Sequence, residues 1–488
     1  MIHFHISHHT TNNNAAARRG RLDDAYRGRW RPKKMSLDSL ETGERESDGS
    51  RPASDVLVLC PSHRDLRELK KVARQRPLRF HFHDYASLDL EILAAGLAGA
   101  GRIAEPRQEI SDILDRFSGG KLHGVISSDD YPGSVMAAIV AQRLGLPGVS
   151  PVASLRCQHK YLSRLEQRRL VPAASPAFTL IDTRCPQTHG LHYPIFVKPL
   201  KSFFSIGASR VDAPAGLERA VREAILPPEF YRPFNELLGL YPQLAHAEIG
   251  ARSVIGEVSL RGHQCTLEGY VRGGATHTVG VVDSIFYPGT RSFERFEYPS
   301  RLPADIVDRM EDIAARLMRG LEYGEGFFNV EFIVDLENES VQIVEVNPRL
   351  ASQFADLYEK VDGSNSYDIL LDLALGMPPE RNKRAGAHRM AASCALRRFQ
   401  DAWVRELPSE ESLERLKRRF PDVRVEVLAE EGQLLSRSMQ DGCSFRYAII
   451  NIGGSDRDDV LRNLAECIKE LRFDFADVRA PGKQATGG

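Results

Sequence analysis

Phe327-Phe328-Asn329-Val330-Glu331-Phe332-Ile333-Val334-Asp335, a polar turn at Glu337-Asn338-Glu339-Ser340, and Val341-Gln342-Ile343-Val344-Glu345-Val346-Asn347-Pro348-Arg349-Leu350 decide the reading of this chain. Two β-branched, aromatic-rich runs flanking a short polar turn predict a β-hairpin. Side chains alternate with a period of two along a strand, so Glu345 and Asn347 share a face and the hairpin brings Glu331 alongside them. Two carboxylates and an amide oxygen on adjacent strands suit a hard cation held jointly with phosphates, as Mg²⁺ prefers. Arg349, next on that face, has the planar fork needed to grip a phosphate or a carboxylate bidentately.

Upstream, three more stretches answer the needs of a triphosphate in a set order. His159-Lys160-Tyr161, followed by Arg164, opens a helix that ends before VPAASPAF. YPIFVKP is a strand delivering Lys198, and the stretch from Lys201 to Ser209 after it carries Ser205, Ile206 and Gly207. An ammonium emerging from a strand beside a Ser- and Gly-bearing loop meets phosphate oxygens with both side-chain charge and backbone N–H groups. The run from Glu257 to Thr266 then enters LEGYV, a turn and HTVGVVDS, and reads as a hinge leading into a second hairpin. The backbone of such a hinge can bond an adenine edge, and Gln264 can reach a ribose hydroxyl.

The remainder sets bounds. The chain has 488 residues, 42% hydrophobic and 27% charged, ordinary globular composition with room for about three domains. Lys plus Arg (65) and Asp plus Glu (66) cancel, so no global field draws the protein to nucleic acid or an anionic membrane. Seven cysteines are scattered without a CxxC pair, which indicates neither a zinc knuckle nor a disulfide framework. With no apolar run long enough for a membrane span and no apolar secretory leader, the expected location is the cytoplasm.

Residues 1–52 are rich in His, Asn, Arg and Ser and lack a steady period, so they are expected to be a disordered tail. From 53 to 150, short apolar strands alternate with helical patterns, which predicts a parallel α/β unit. Asp129-Asp130 follows the strand HGVISS, where ligands of open α/β sheets bind, and equally could turn the chain into the next helix. His81 and His83 share a strand face with nothing nearby to complete a metal set. Beyond the GMPPERNKRAGAH linker, residues 387–478 read as a small α+β unit, and 479–488 as a tail.

The ordered set ending in EVNPR resembles the ATP-grasp superfamily, over about residues 151–378. The resemblance implies a two-lobed ATP-grasp fold, with a small lobe of about 160–256 and a large lobe of about 257–378, behind the parallel N-terminal unit. It implies that Lys160 and Lys198 contact ATP and that Lys201 to Ser209 covers the phosphates. Glu257 and Leu260 become the adenine hinge, with Gln264 at the ribose. Glu331, Glu345 and Asn347 hold Mg²⁺, with Mn²⁺ as a substitute, and Arg349 together with Lys198 serves catalysis. Two departures stand out: Gln264 occupies a place where many relatives carry Glu, and Phe203 and Phe204 lie in a loop commonly built of small residues. Glu268, Arg291 and Arg295 are substrate-side candidates. The implied activity is an ATP-dependent carboxylate–amine or carboxylate–thiol ligation through an acyl phosphate, releasing ADP and phosphate. A biotin-carboxylase-like activation of bicarbonate and a non-catalytic nucleotide-binding module are the alternatives. The implied partners are small-molecule carboxylates and amines, and a homodimer is compatible with the resemblance.

Overall fold

The computed structural model describes residues 54–85, 105–120, 122–202, 206–246, 249, 253–437 and 444–478. The two expected tails, 1–52 and 479–488, and Phe203, Phe204 and Ser205 lie outside the described residues.

The N-terminal unit contains β1 (Ser54–Leu59), α1 (His63–Ala73), β2 (Leu78–His83), α2 (Pro106–Arg116), β3 (Gly124–Ile126) and α3 (Gly133–Leu144). Its strands form the expected parallel sheet in the order β2-β1-β3. The apolar run of β1 needs no polar alternation because both faces are covered. Leu57 and Leu59 pack with α2 and α3, while Val56 and Val58 pack against helices from much later in the chain. Ser62 caps α1 by accepting from Asp65 N–H, and Asp65 accepts from the Ser62 amide in return, a capping box. Asp65 also accepts from the Ser128 hydroxyl at 2.6 Å and the Tyr367 hydroxyl at 2.7 Å, so one buried carboxylate ties the segment before Asp129 to the far end of the chain.

The next stretch holds α4 (Pro151–Gln158), α5 (Lys160–Leu170), β4 (Phe178–Asp182), β5 (Ile195–Pro199), β6 (Ser209–Val211), α6 (Leu217–Glu223), α7 (Pro228–Leu238) and β7 (Ser253–Val258). Its strands make an antiparallel sheet in the order β4-β7-β5-β6. After the link 259–262 come β8 (His263–Arg272), β9 (Ala275–Phe286), β10 (Phe293–Tyr298), α8 (Ala304–Gly320), β11 (Gly326–Asp335), β12 (Ser340–Asn347), α9 (Ala355–Asp362) and α10 (Ser366–Ala374). The final stretch adds β13 (Met390–Arg398), β14 (Ala402–Glu406), α11 (Glu410–Arg419), β15 (Arg424–Val427), β16 (Phe445–Gly454), α12 (Arg457–Glu470) and β17 (Asp474–Asp477).

The linker before β13 does not interrupt the sheet. Strand β13 pairs with β10, giving one eight-stranded sheet in the order β12-β11-β8-β9-β10-β13-β16-β15. Local pattern shows where strands are, but which strand a new one pairs with depends on the edge left open, and β10 offers such an edge. Helix α8 packs on the face of β8, β9 and β11 through Met310, Ala314 and Leu317. Helices α9 and α10 fill the space between the opposite face and the N-terminal unit.

Candidate active site

The hairpin is as expected: β11 and β12 are antiparallel, with Asn329 opposite Asn347 and Glu331 opposite Glu345. Strand β8 lies on the other side of β11, pairing Glu268 with Asn329 and Thr266 with Glu331. Directly opposed residues share a sheet face, so two side-chain rows cross three strands: Glu268–Asn329–Asn347 and Thr266–Glu331–Glu345. Asn347 Nδ2 donates to Asn329 Oδ1 at 2.8 Å and to Glu331 Oε1 at 3.4 Å, and Gln264 Nε2 donates to Glu331 Oε2 at 3.3 Å. Burial, reinforced by the charge of Glu345, pushes the Glu331 carboxyl well above its usual range. Two facing carboxylates with a buried member fit a divalent cation, which would relieve both the burial cost and the mutual repulsion. Among the described residues no cluster of three or more His, Cys, Asp or Glu is placed to hold a metal.

Cations reach this edge from three other elements. His159 caps α5, its Nδ1 accepting from Leu162 N–H. Burial pushes His159 down to about 4, which keeps the ring neutral and able to accept. The cap places Lys160 in the first turn of α5, where its ammonium pairs with Glu345. Burial disfavours that charge, but Glu345 outweighs it and the Lys160 pKa is raised. Lys198 projects from β5 and pairs with Glu257 Oε2 at 2.6 Å, and here burial prevails and lowers the ammonium pKa.

Arg164 follows Lys160 by one helical turn and is 2% exposed. Its Nε and Nη2 bond the two oxygens of Glu257 at 2.8 and 3.1 Å, and its Nη1 and Nη2 bond the carbonyls of Ile343 and Val344, each at 2.8 Å. Burial would raise Glu257, but Arg164 and Lys198 together hold it down at about 2. The side chain of Glu257 therefore serves as counter-ion to two cations. Sequence reasoning quoted Arg164 without giving it a role. The usable signal was its i,i+4 spacing from Lys160, which puts both on one helix face.

A fourth group comes from the N-terminal unit. Asp130 Oδ1 lies 3.3 Å from Arg349 Nε and its Oδ2 lies 3.8 Å from Lys201 Nζ. Burial opposes its charge, but Lys201 and Arg349 outweigh it and hold Asp130 at about 2. Asp129 behaves oppositely. Its carboxylate accepts from Gly133 N–H at 2.8 Å at the start of α3, and burial pushes it up to about 6. The helix-start contact that the sequence reading gave to Asp130 is made by Asp129, while the Asp130 carboxylate faces two cations.

Not every candidate reaches this cluster. Ile206 and Gly207 lie past the end of β5, where Ile206 O accepts from the Ser202 hydroxyl at 2.6 Å, whereas Ser205 is outside the described residues. Leu260 sits in the 259–262 link between the two sheets, as the hinge reading expects. Glu268 was expected to face substrate, but it is 0% exposed. Arg291 is exposed and stacks over the Phe196 ring at 5.1 Å, bridging the β9–β10 turn to the small sheet, and the same ring has the Lys198 ammonium 6.0 Å from its centre. Arg295 was expected in a loop. It lies within β10, buried, with its guanidinium on Glu297 at 2.6 Å and Glu294 at 2.8 Å, because that loop is short and the strand resumes at Phe293. His81 and His83 bond Asp55 and Glu109, at 2.7 and 2.8 Å.

Lysines from a helix and a small antiparallel sheet thus face carboxylates on a hairpin of a second sheet. Residues 191–356 match the family model for the ATP-grasp domain. It is 24% identical over 279 residues to a D-alanine–D-alanine ligase of Chlorobium limicola, a match spanning 54% of this chain and 70% of the relative. A second ligase of that name, from Caldicellulosiruptor bescii, is 24% identical over 205 residues, 39% of this chain and 49% of the relative. Among solved structures, an L-amino acid ligase from Bacillus licheniformis superposes with a TM-score of 0.65 at 15% identity, covering 88% of this chain and 100% of that one. A biotin carboxylase from Campylobacter jejuni gives 0.57 at 14% identity, covering 86% and 92%. No helix among the described residues is long and apolar enough to cross a membrane.

Proposed function

We propose that the protein is an ATP-dependent carboxylate–amine ligase that forms an acyl phosphate and releases ADP and phosphate. The observation that carries this reading is the convergence of Lys160, Lys198, Lys201 and Arg349, from three separate segments, on the edge that carries Glu331, Glu345 and Asn347. Nothing in the packing of a hydrophobic core calls for that many buried cations, since each costs desolvation energy unless it is paired. Each of the four cations faces a carboxylate of the protein, and a triphosphate would take over as their partner.

Glu331, Glu345 and Asn347 would hold Mg²⁺, with Mn²⁺ as a substitute; the ion supplies charge neutralisation on the phosphates. Lys160 and Lys198 stabilise phosphate charge from the opposite side. Arg349 orients the incoming carboxylate and steadies the transferring phosphoryl group, and Lys201 approaches from the phosphate-covering segment. Catalysis on this reading is positioning and electrostatic stabilisation. The carboxylate oxygen attacks the γ-phosphorus, ADP leaves, and a neutral amine then attacks the acyl carbonyl, expelling phosphate and forming an amide. The curated relatives named for joining two alanines support amino-acid-like substrates, the acid and the amine both being small molecules.

The test is ADP and phosphate release from Mg-ATP over a panel of carboxylates and amines, amino acids and bicarbonate included, with Glu345→Ala as control. Release that requires both an acid and an amine supports the ligase. Release driven by bicarbonate alone moves the protein to the carboxylase type, and undiminished activity in the control overturns the metal assignment.

A further inference from the structure

We infer that Glu268, which no substrate can touch, is a positioning residue that holds the segment Pro348–Ala351 and through it sets where Arg349 points; this rests on the ligase reading. Glu268 Oε1 accepts the Ala351 N–H, two residues beyond Arg349. Its register partner Asn329 takes the other side of the same segment, Nδ2 donating to Arg349 O at 3.5 Å. Asn329 in turn receives Asn347 Nδ2. One row of three side chains across β8, β11 and β12 thus ties the Arg349 carbonyl and the Ala351 amide just after it, and also orients a proposed metal ligand.

The row is closed from above. Gly280, opposite Glu268 on β9, has no side chain, and a Cβ there would stand 2.5 Å from the Tyr298 ring and 3.0 Å from the Tyr358 ring. Those rings pack edge to face at 4.8 Å over the site, and Tyr298 is anchored by donating to Asp362 at 2.6 Å. Glu268 Oε2 is buried beside the Tyr358 hydroxyl, so the second oxygen of the carboxyl is held by the ring that covers the row.

Burial pushes the Glu268 carboxyl up to about 8, so near neutral pH it is mostly a protonated acid that can still accept the Ala351 N–H. The groups facing it are Arg349 from its own segment and Tyr358 from α9, with Tyr298 of β10, Asp362 and Arg381 behind them. Once ionised, it attracts the Arg349 guanidinium and competes with Asp130 for it. The fold therefore predicts an active site in order below the Glu268 pKa and progressively misaligned above it.

The experiment compares wild type, Glu268→Gln and Glu268→Leu by ADP release with the acid found in the panel, and by crystal structures without nucleotide. Glu268→Leu keeps the volume but abandons the amide, so kcat should fall on the order of 100-fold with the KM for ATP within about threefold. Glu268→Gln keeps the acceptor and should hold kcat within about threefold at neutral pH, and lose the decline that wild type shows above about pH 8. Wild-type kcat in the leucine variant, or a glutamine variant that declines with pH in step with wild type, overturns the assignment. So does a Glu268→Leu crystal structure in which residues 348–351 have not moved. If wild type releases no ADP with any acid, the ligase reading fails on its own, and the crystal comparison still decides whether Glu268 sets the Arg349 segment.

Discussion

Replacing Arg164 with leucine should damage this protein more than replacing any of the lysines around it. Arg164 is among the largest fully buried side chains and makes four hydrogen bonds with carboxylate or backbone carbonyl oxygens at 3.1 Å or less, besides one to the Gln167 side-chain oxygen. It joins three elements, α5, β7 and β12. Glu257, at about 2 against an ordinary 4.5, carries the mark of that pairing. Burial would raise that carboxyl, and Arg164 and Lys198 together lower it in spite of the burial. Leucine also strands the carbonyls of Ile343 and Val344 in a buried place, and breaking a buried ion pair from one side typically costs about 3 to 5 kcal/mol. The expected loss is therefore at least about 3 kcal/mol, read by urea titration at constant ionic strength. Calorimetry with Mg-ADP should show weakened binding, because Glu257 then draws Lys198 without competition. A variant within about 1 kcal/mol of wild type that binds Mg-ADP normally would refute the argument that this pair is structural and the cations are shared.

Asp130→Asn should free Lys201 and Arg349 of their internal counter-ion, so inorganic phosphate or ADP without metal should bind several-fold more tightly by calorimetry; weaker binding would count against Asp130 as the occupant of an anion site. Gly262→Ala should destabilise the link between the sheets, since Gly262 has φ near +133° and an added Cβ would stand 2.3 Å from Val334 O; a loss below about 1 kcal/mol in denaturant titration would mean that the backbone there yields freely. In acid, Glu257 and Asp130 both have folded pKa values of about 2, below their unfolded values of 4.5 and 3.8. Their stabilisation is present above the unfolded values and lost as pH falls toward the folded ones. Glu268 has the opposite sign: raised to about 8 from 4.5, it erodes stability as pH rises between those values. Glu268→Gln should flatten the alkaline side of a stability profile and leave the acid side unchanged.

The sequence by itself determined the local pieces and their order. The alternation in FFNVEFIVD and VQIVEVNPRL requires strands, the polar turn requires a hairpin, and period two puts Glu331, Glu345 and Asn347 together. Lys160 and Lys198 were legible because each is delivered by a well-marked element. These are short-range consequences of backbone geometry and need no knowledge of the rest of the chain. The tertiary structure alone decided what each charge faces. Asp130 meets Arg349 from 219 residues away and Arg164 meets Glu257 from 93. Glu268 and Arg295, which read as cleft residues, are sealed in by strands that pack over them. No local pattern distinguishes a carboxylate aimed at solvent from one aimed at a buried amide, because burial is set by which faces later segments come to cover. The same holds for the sheet: three apolar segments of the last hundred residues, those of β13, β15 and β16, were readable, but their joining to β10 depended on an edge that exists only once the chain has folded, and β14 and β17 were not read.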